Sequence, residues 1–160
     1  MSTPQYVLAI DNGTTSTRAI IFDHAGAKIG TGQLETTQIF PQSGWVEHDP
    51  VEIWNNTRKV IELALEQASL TASDIAAIGI TNQRETAVAW SRSTGKTLCK
   101  AIVWQCRRTA EFCNQLAVTH GSLITAKTGL IVDAYFSASK LRWSANCPAP
   151  AWAWPARAMC

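Results

Sequence analysis

The sequence lacks any long apolar run, and no stretch approaches the roughly 20 residues that a membrane-spanning helix needs. It also carries little charge: 16% of the residues are charged, the net charge is +2, and no basic or acidic run occurs. Neither a transmembrane segment nor a nucleic-acid or anionic-membrane partner is therefore expected. Residues 1–5 form no basic segment, and Asp11 interrupts the next apolar run. A secretory signal peptide is not expected either, and we predict a cytoplasmic protein.

Two nucleotide-binding motifs are also missing. No GxxxxGK[ST] string occurs, which excludes a P-loop, and no GxGxxG string occurs, which removes the dinucleotide fingerprint. The cysteines are odd in number and contain no CxxC pair. We interpret them as reduced thiols in or near a core, not as disulfides or metal ligands. They are Cys99, Cys106, Cys113, Cys147 and Cys160.

The N-terminal third predicts a sheet followed by a helix. Strand-forming segments at 6–10, 17–22 and 28–37 are separated by turn residues, which predicts an antiparallel meander with the third strand outermost. Asp49 is a good N-cap, Pro50 suits the first helical position, and Glu52 completes a capping box. Apolar residues at helical spacing then predict one face packed on the sheet. These residues are Trp54, Ile61, Leu65 and Ala68.

The middle of the chain alternates between strand and helix patterns. Residues 74–80 predict a buried strand, 86–90 and 101–104 predict two more, and 93–95 suit a hairpin turn. Residues 107–116 and 137–143 are helical candidates. A meander, a crossover helix and a return strand together predict an α/β fold, a mixed sheet with flanking helices.

Residues 144–160 have a different composition. They are rich in alanine, proline and tryptophan, contain no acidic residue, and show no helical or strand periodicity. The prolines at 148, 150 and 155 forbid a continuous helix. We interpret this stretch as a tail outside the domain that is disordered or encoded in a shifted reading frame.

Residues 11–16, Asp-Asn-Gly-Thr-Thr-Ser, lie between two predicted strands. Gly13 allows a tight turn, and successive backbone N–H groups with three hydroxyls can surround phosphate oxygens. Asp11 can hold Mg²⁺ through water, because that ion keeps several waters when protein carboxylates bind it. Arg18 can reach a phosphate from the next strand. A plain hairpin is the alternative, and we favour a phosphate-binding turn.

Arg84 and Glu85 lie in a polar stretch that follows an apolar strand ending at Thr81. One interpretation is an exposed turn with a salt bridge. The other is a polyol site, in which Arg84 donates hydrogen bonds to ligand hydroxyls and Glu85 accepts them. Spacing alone leaves both open.

The strings DNGTTSTR at 11–18, GWVEHDP at 44–50, GITNQRET at 79–86 and AIVWQCRRT at 101–109 resemble the glycerol kinases of the carbohydrate-kinase family. The resemblance runs from Tyr6 to Trp143. It implies a ribonuclease H-like (actin-like ATPase) fold: an incomplete N-terminal carbohydrate-kinase domain at residues 1–143, followed by the tail at 144–160.

The same resemblance implies ATP-dependent phosphorylation of glycerol, with ATP and Mg²⁺ as cofactors. The ATP phosphates and metal would be bound by Asp11, Thr14, Thr15, Ser16 and Arg18. Glycerol would be bound by Arg84, Glu85 and Tyr135 through hydrogen bonds and by Trp104 along its carbon backbone. Asn12 stands where glycerol kinases often have Gln, a change of one amide for another.

The family's catalytic aspartate, a second phosphate loop and the adenosine pocket correspond to positions beyond residue 160. We therefore expect the isolated chain to be inactive as a kinase. Three alternatives stay open: a kinase of another polyol or sugar, a non-catalytic actin-like nucleotide-binding domain, and an inert gene fragment. Homo-oligomerisation of the complete enzyme is also left open.

Overall fold

The computed structural model describes residues 5–146, which form two compact units. The first unit contains the residues up to Gln38 together with Asp49–Gln83, and the second contains Ile39–His48 and the residues from Arg84 onward. The strands are β1 (Tyr6–Asn12), β2 (Ser16–Phe22), β3 (Lys28–Glu35), β4 (Glu47–His48), β5 (Ile75–Asn82) and β6 (Ala101–Ile102). The α-helices are α1 (Pro50–Ala68), α2 (Ala110–Thr128) and α3 (Ser137–Asn146), and a 3-10 turn covers Ala72–Asp74.

The first unit is built on a four-stranded sheet with the order β3-β2-β1-β5. β2 pairs antiparallel with both β1 and β3, so the predicted meander with β3 at the edge is confirmed. β5 returns parallel to β1, with Leu8 opposite Ile78 and Ile10 opposite Ile80. The sheet is therefore mixed, as the sequence predicts.

Helix α1 begins where its sequence predicts. The Asp49 side chain accepts a hydrogen bond from the Val51 backbone N–H at 2.9 Å, and Pro50 occupies the first turn. The backbone N–H of Thr37 donates a hydrogen bond to Glu52 Oε1 at 2.9 Å. This bond ties the first helical turn to the segment after β3. The helix ends at Ser69, which adopts a left-handed conformation at φ 54°.

The close packing of α1 on the sheet depends on two glycines of β3. A Cβ atom at Gly32 would lie 2.2 Å from the Val60 carbonyl oxygen, and one at Gly30 would lie 2.3 Å from that of Ala64. Both distances are far below van der Waals contact, so only glycine lets the helix backbone approach this closely. Val60 and Ala64 complete a core with four sheet residues, Leu8, Ile10, Ala19 and Ile21.

The prediction that Trp54 packs on the sheet is wrong, because its side chain is 62% exposed. The buried stripe of α1 is centred on Val60 and Ala64. Trp54 lies on the same side of the helix as Ile61, seven positions later, but it precedes Val60, where the residues of α1 that pack on the core begin. Ile61, Leu65 and Ala68 do pack against the core, at the margin of this stripe.

β5 is a strand, as predicted, but the prediction that it is buried is wrong. Ile78 and Ile80 are 59% and 71% exposed. α1 packs over β3 and β2 and reaches β1 only marginally, so it does not cover β5 at the opposite edge of the sheet. Between α1 and β5 lies an apolar groove of about 390 Å³, whose lining includes Leu65 and Ile78.

The second unit contains less regular strand structure than predicted. β4 and β6 pair antiparallel over two residues each. Residues 86–90 form isolated bridges, from Ala87 to Ile102 and from Trp90 to Thr97, and no continuous strand. The turn at 93–95 is confirmed, with Gly95 at φ 69°. α2 extends well beyond the predicted 107–116, whereas α3 begins at Ser137 as predicted.

Two further predictions concern the chain as a whole. Within residues 5–146, no helix is both long and apolar enough to cross a membrane. Most of the predicted tail, residues 147–160, lies outside the described residues, and residues 144–146 belong to α3. The assignment of 144–160 as a separate tail stays a prediction.

Candidate functional site

The predicted phosphate-binding turn connects β1 to β2 in the first unit. Its backbone closes with a hydrogen bond from the Gly13 N–H to the Ser16 carbonyl at 3.0 Å. A Cβ atom at Gly13 would lie 3.0 Å from that same carbonyl oxygen, so the turn is tight enough to favour glycine. Thr15 is exposed, and Thr14 and Ser16 are partly exposed.

The carbonyl oxygens of this turn are bonded to protein donors. Gln83 Nε2 donates to the Gly13 carbonyl at 3.3 Å, and Gln38 Nε2 donates to the Thr14 carbonyl at 2.9 Å. The Thr36 N–H donates to the Thr15 carbonyl at 2.9 Å. A carbonyl dipole repels an anion. Because these carbonyl oxygens already accept hydrogen bonds from the protein, the N–H and hydroxyl groups of the turn are favoured as contacts for an anion. No sequence pattern indicated the two glutamines, because both are distant from the turn along the chain.

Asp11 and Arg18 lie side by side on the sheet face opposite α1. Leu8 and Ile10 point toward α1, so strand alternation places Asp11 on the other face. Asp11 is the register partner of Arg18, whose Nε donates to Gln33 Oε1 on β3 at 2.8 Å. This bond holds the Arg18 guanidinium toward β3, on the other side of β2 from Asp11.

Asn12 points to the α1 side of the sheet. Its Oδ1 accepts a hydrogen bond from the Thr57 hydroxyl at 2.9 Å, which joins the end of β1 to the helix. The exchange of glutamine for asparagine at this position therefore falls on a packing contact of the turn.

Glu85 is the most constrained of the predicted polyol residues in the second unit. Its backbone has φ 64°, in the left-handed region that residues with a Cβ rarely adopt. Oε2 accepts two hydrogen bonds from Ser137, at 2.8 Å from its N–H and 2.7 Å from its hydroxyl. The hydroxyl bond holds the pKa of the Glu85 carboxyl below its ordinary value, assisted by the nearby charges of Lys140 and Arg84. Arg84 itself is exposed.

Trp104 and Tyr135 form an aromatic pair in the same unit. Their ring centroids lie 5.8 Å apart at 66°, and Tyr135 also packs edge-on against Phe136 at 5.1 Å. The Tyr135 backbone carbonyl accepts a hydrogen bond from Lys140 Nζ, and Lys140 is fully buried. Three of the predicted polyol residues, Glu85, Trp104 and Tyr135, are thus connected through the start of α3. The predicted phosphate residues gather at the β1–β2 turn.

The strings at 44–50 and 101–109 meet around Arg108. Its guanidinium lies 3.9 Å from the Trp45 ring centroid and 4.6 Å from that of Trp143. It pairs with Glu47 at 2.7 Å and donates from Nε to Cys106 Sγ at 3.0 Å. The two strings do not predict this cluster, because spacing along the chain does not show which residues pack together.

Cys106 and Cys113 are free and buried, as predicted, whereas Cys99 is exposed. Cys147 and Cys160 lie outside the described residues. In the described part of the chain, no three His, Cys, Asp or Glu residues are grouped so that they could hold a metal ion.

Comparisons with known proteins agree on one family. The model of the N-terminal domain of the FGGY family of carbohydrate kinases matches residues 6–148. The glycerol kinase of Paenarthrobacter aurescens is 59% identical over 140 residues, which are 87% of this chain and 28% of that protein. The chain therefore spans less than a third of the length of the curated relatives that it matches.

Solved structures give the same result. The crystal structure of Plasmodium falciparum glycerol kinase with ADP superimposes with a TM-score of 0.82 at 36% identity, covering 89% of this chain and 29% of that one. A xylulose kinase from Rhodospirillum rubrum gives a TM-score of 0.78 at 29% identity, covering 87% and 28%. The predicted fold is confirmed as part of the ribonuclease H-like (actin-like ATPase) fold of these kinases. The chain belongs to the FGGY family of carbohydrate kinases and corresponds to its N-terminal domain.

Proposed function

We propose that this chain supplies the phosphate-binding turn and the polyol-binding residues of an ATP:glycerol phosphotransferase. The observation that supports it most directly is the anchored Glu85 carboxylate, connected through the start of α3 to the Trp104–Tyr135 pair. A small triol needs polar partners for its hydroxyls and an apolar wall for its carbons, and this cluster contains both. The identity of 59% to a glycerol kinase supports the choice of polyol.

In this proposal the hydroxyls of glycerol are bound by three side chains. Arg84 donates hydrogen bonds, Glu85 accepts them, and Tyr135 contributes its phenol group. Trp104 lies along the carbon chain. A site that pairs each hydroxyl discriminates strongly against analogues that lack one, because its polar groups are then left unpaired.

The β1–β2 turn would bind the phosphates of ATP. Thr14, Thr15 and Ser16 supply hydroxyl and N–H donors, and Arg18 supplies a positive charge. Asp11 fits Mg²⁺, because its exposed carboxylate adjoins the turn and this ion is usually held by one or two carboxylates, phosphate oxygens and water. Bound Mg²⁺ would neutralise charge on the phosphates.

The resemblance assigns the general base and the adenosine pocket to positions beyond residue 160. We therefore expect glycerol binding without ATP turnover by this chain alone. The proposal also assigns the protein to the cytoplasm, in keeping with the free thiols of Cys106 and Cys113.

Calorimetric titration of the full 160-residue chain tests the polyol assignment. We expect saturable glycerol binding, at least tenfold weaker binding of 1,3-propanediol, which lacks the middle hydroxyl, and at least tenfold weaker glycerol binding by Glu85→Ala. The control is Lys59→Ala in the first unit, which should bind glycerol as the wild type does. Equal affinity of Glu85→Ala and wild type would exclude the assignment, and turnover in a coupled ATP assay would contradict the expected inactivity.

A kinase of a ketopentose is the second candidate, favoured by the similarity to the xylulose kinase structure. Both candidates use the same residues, so the titration is repeated with D-xylulose. Tighter binding of xylulose than of glycerol would favour the second candidate.

A further inference from the structure

We propose that Ser137 and Lys140, at the start of α3, are positioning residues that hold the Glu85 carboxylate and the backbone of Tyr135 in place for a polyol. The inference rests on the proposed function, because Glu85 and Tyr135 are the residues to which that function assigns hydroxyl contacts. Neither Ser137 nor Lys140 is assigned a direct contact with substrate.

Ser137 controls which oxygen of Glu85 is used. Its backbone N–H and its hydroxyl both donate to Oε2, at 2.8 and 2.7 Å. The two bonds fix the plane of the carboxylate and leave Oε1 as the acceptor that a ligand hydroxyl can use. Ser137 is also the first residue of α3, so the carboxylate lies at the positive end of the helix dipole.

The backbone of Glu85 shows why such an anchor is needed. A non-glycine residue at φ 64° is in an unfavourable conformation that persists only when its surroundings impose it. The two bonds from Ser137 join Glu85 to a helix that lies 52 positions further along the chain. Losing them would release both the side chain and the strained backbone.

Lys140 lies one helical turn after Ser137, on the same side of α3. Its side chain is 0% exposed and Nζ donates to the Tyr135 carbonyl. Full burial of a lysine is rare and costs free energy unless the ammonium is paired. Here the hydrogen bond to Tyr135 and the charge of Glu85 offset part of that cost.

The charges around this cluster support the arrangement. Burial lowers the pKa of Lys140, and the negative charges of Glu85 and Asp133 oppose that effect. The Ser137 hydroxyl lowers the pKa of Glu85, burial acts in the opposite direction, and the positive charges of Lys140 and Arg84 lower it further. Glu85 and Lys140 therefore each stabilise the charged form of the other.

The first experiment needs no ligand. Carbon-13 NMR of the full chain follows the side-chain carboxyl of Glu85 through a pH titration in the wild type, Ser137→Ala and Ser137→Thr. We expect a pKa below the ordinary glutamate value in the wild type, a higher value in Ser137→Ala, and recovery in Ser137→Thr, which keeps the hydroxyl. An unchanged Glu85 pKa in Ser137→Ala would overturn the role of Ser137.

The second experiment measures glycerol affinity of the same proteins. Ser137→Ala should bind glycerol about tenfold more weakly, and Ser137→Thr should recover most of the affinity. The matched control is Ser139→Ala on the same helix, which removes a buried 2.8 Å contact with Thr109. It should lower the thermal midpoint without changing the Glu85 pKa or the glycerol affinity. If Ser139→Ala weakened glycerol binding as much as Ser137→Ala, a purely structural role would explain both.

Lys140 is tested in the wild type itself, since a substitution at a buried lysine can prevent folding. Nitrogen-15 NMR should show a slowly exchanging ammonium for Lys140, whose shift follows the titration of Glu85. A rapidly exchanging ammonium or no response to Glu85 would remove Lys140 from the proposal. Absence of glycerol binding by the wild type would reject the proposed function alone, because both NMR measurements would still report on the positioning contacts.

Discussion

Arg108 illustrates how a single residue organises the second unit. A guanidinium is planar and weakly hydrated, so it can stack on aromatic rings while keeping its charge. Trp45 and Trp143 supply those rings, and Glu47 supplies the counter-charge, with the Arg108 side chain 1% exposed and that of Glu47 15% exposed. The Arg108 charge is buried together with the Glu47 carboxylate, so removing either side chain would leave an unpaired buried charge and lower the stability.

Replacing Arg108 with methionine should lower the free energy of unfolding by about 3 kcal/mol, because it leaves a largely buried carboxylate unpaired. Urea unfolding followed by tryptophan fluorescence measures the change. The double variant Arg108→Met/Glu47→Gln should lose less than the single variant. Lys59→Met is the control: it breaks an exposed pair with Glu62 and should change stability by less than about 0.5 kcal/mol. Similar losses in Arg108→Met and Lys59→Met would contradict the role of burial.

At the scale of the elements, the contact between β3 and α1 leaves no space for a side chain on β3 at Gly32. Gly32 adjoins the helix backbone so closely that even a methyl group must displace it. Gly79, in β5 of the same sheet, has nothing within 4 Å of the position that its Cβ would take. The two glycines therefore form a matched pair: the same substitution in the same sheet, with and without space.

Gly32→Ala should destabilise the chain by about 2 kcal/mol or more, because overpacking forces the helix away from the sheet. Gly79→Ala should stay within about 0.5 kcal/mol of the wild type. Urea midpoints with unchanged slopes give the comparison. A loss in Gly79→Ala equal to that in Gly32→Ala would contradict the role of contact with α1, because chain entropy alone favours alanine at a position with free space.

The same elements show what local sequence determines. Capping at Asp49, the meander of β1–β3 and the start of α3 follow from residues close in the chain, and all three were predicted. Burial depends on distant partners. Trp54 has the helical spacing of a packed residue but precedes the part of α1 that contacts the core, and the apolar strand β5 lies beyond the cover of that helix. Ser137, Lys140, Gln38 and Gln83 were missed for the same reason: each contacts a residue that spacing does not relate to it.

At the scale of the whole chain, the proposed function assigns a different kind of recognition to each of the two units. The first carries the turn with its bonded carbonyls, and the second carries the polar and aromatic cluster around α3. The strings at 44–50 and 101–109 contribute mainly to packing around Arg108 in the second unit. Recognition of the family therefore came largely from structural residues, and the site residues were assigned by resemblance.

Acid should destabilise the second unit through two carboxylates with lowered pKa values. Ser137 lowers the pKa of Glu85, and Arg107, paired with Asp133 at 2.8 Å, lowers the pKa of Asp133. Each group releases its proton more readily when folded than when unfolded, so the unfolded chain binds more protons. Their stabilisation is present above the ordinary values of 4.5 and 3.8, and it is lost as the pH falls through the lower folded values.

Thermal unfolding of the wild type, Asp133→Asn and Ser137→Ala between pH 7 and pH 3 measures this loss. Each variant removes one source of the pKa shift, so each should start from a lower midpoint at pH 7 and fall less steeply as acid is added. Asp74→Asn is the control in the first unit, where Thr71 lowers the pKa of an exposed carboxylate at the Ala72–Asp74 turn. Its effect should be confined to unfolding of the first unit. If Asp133→Asn and Ser137→Ala both followed the wild-type pH profile, the acid sensitivity of the second unit would arise outside Glu85 and Asp133. A carboxylate that binds a proton on unfolding makes stability depend on pH, so removing it or the cause of its pKa shift must flatten the profile.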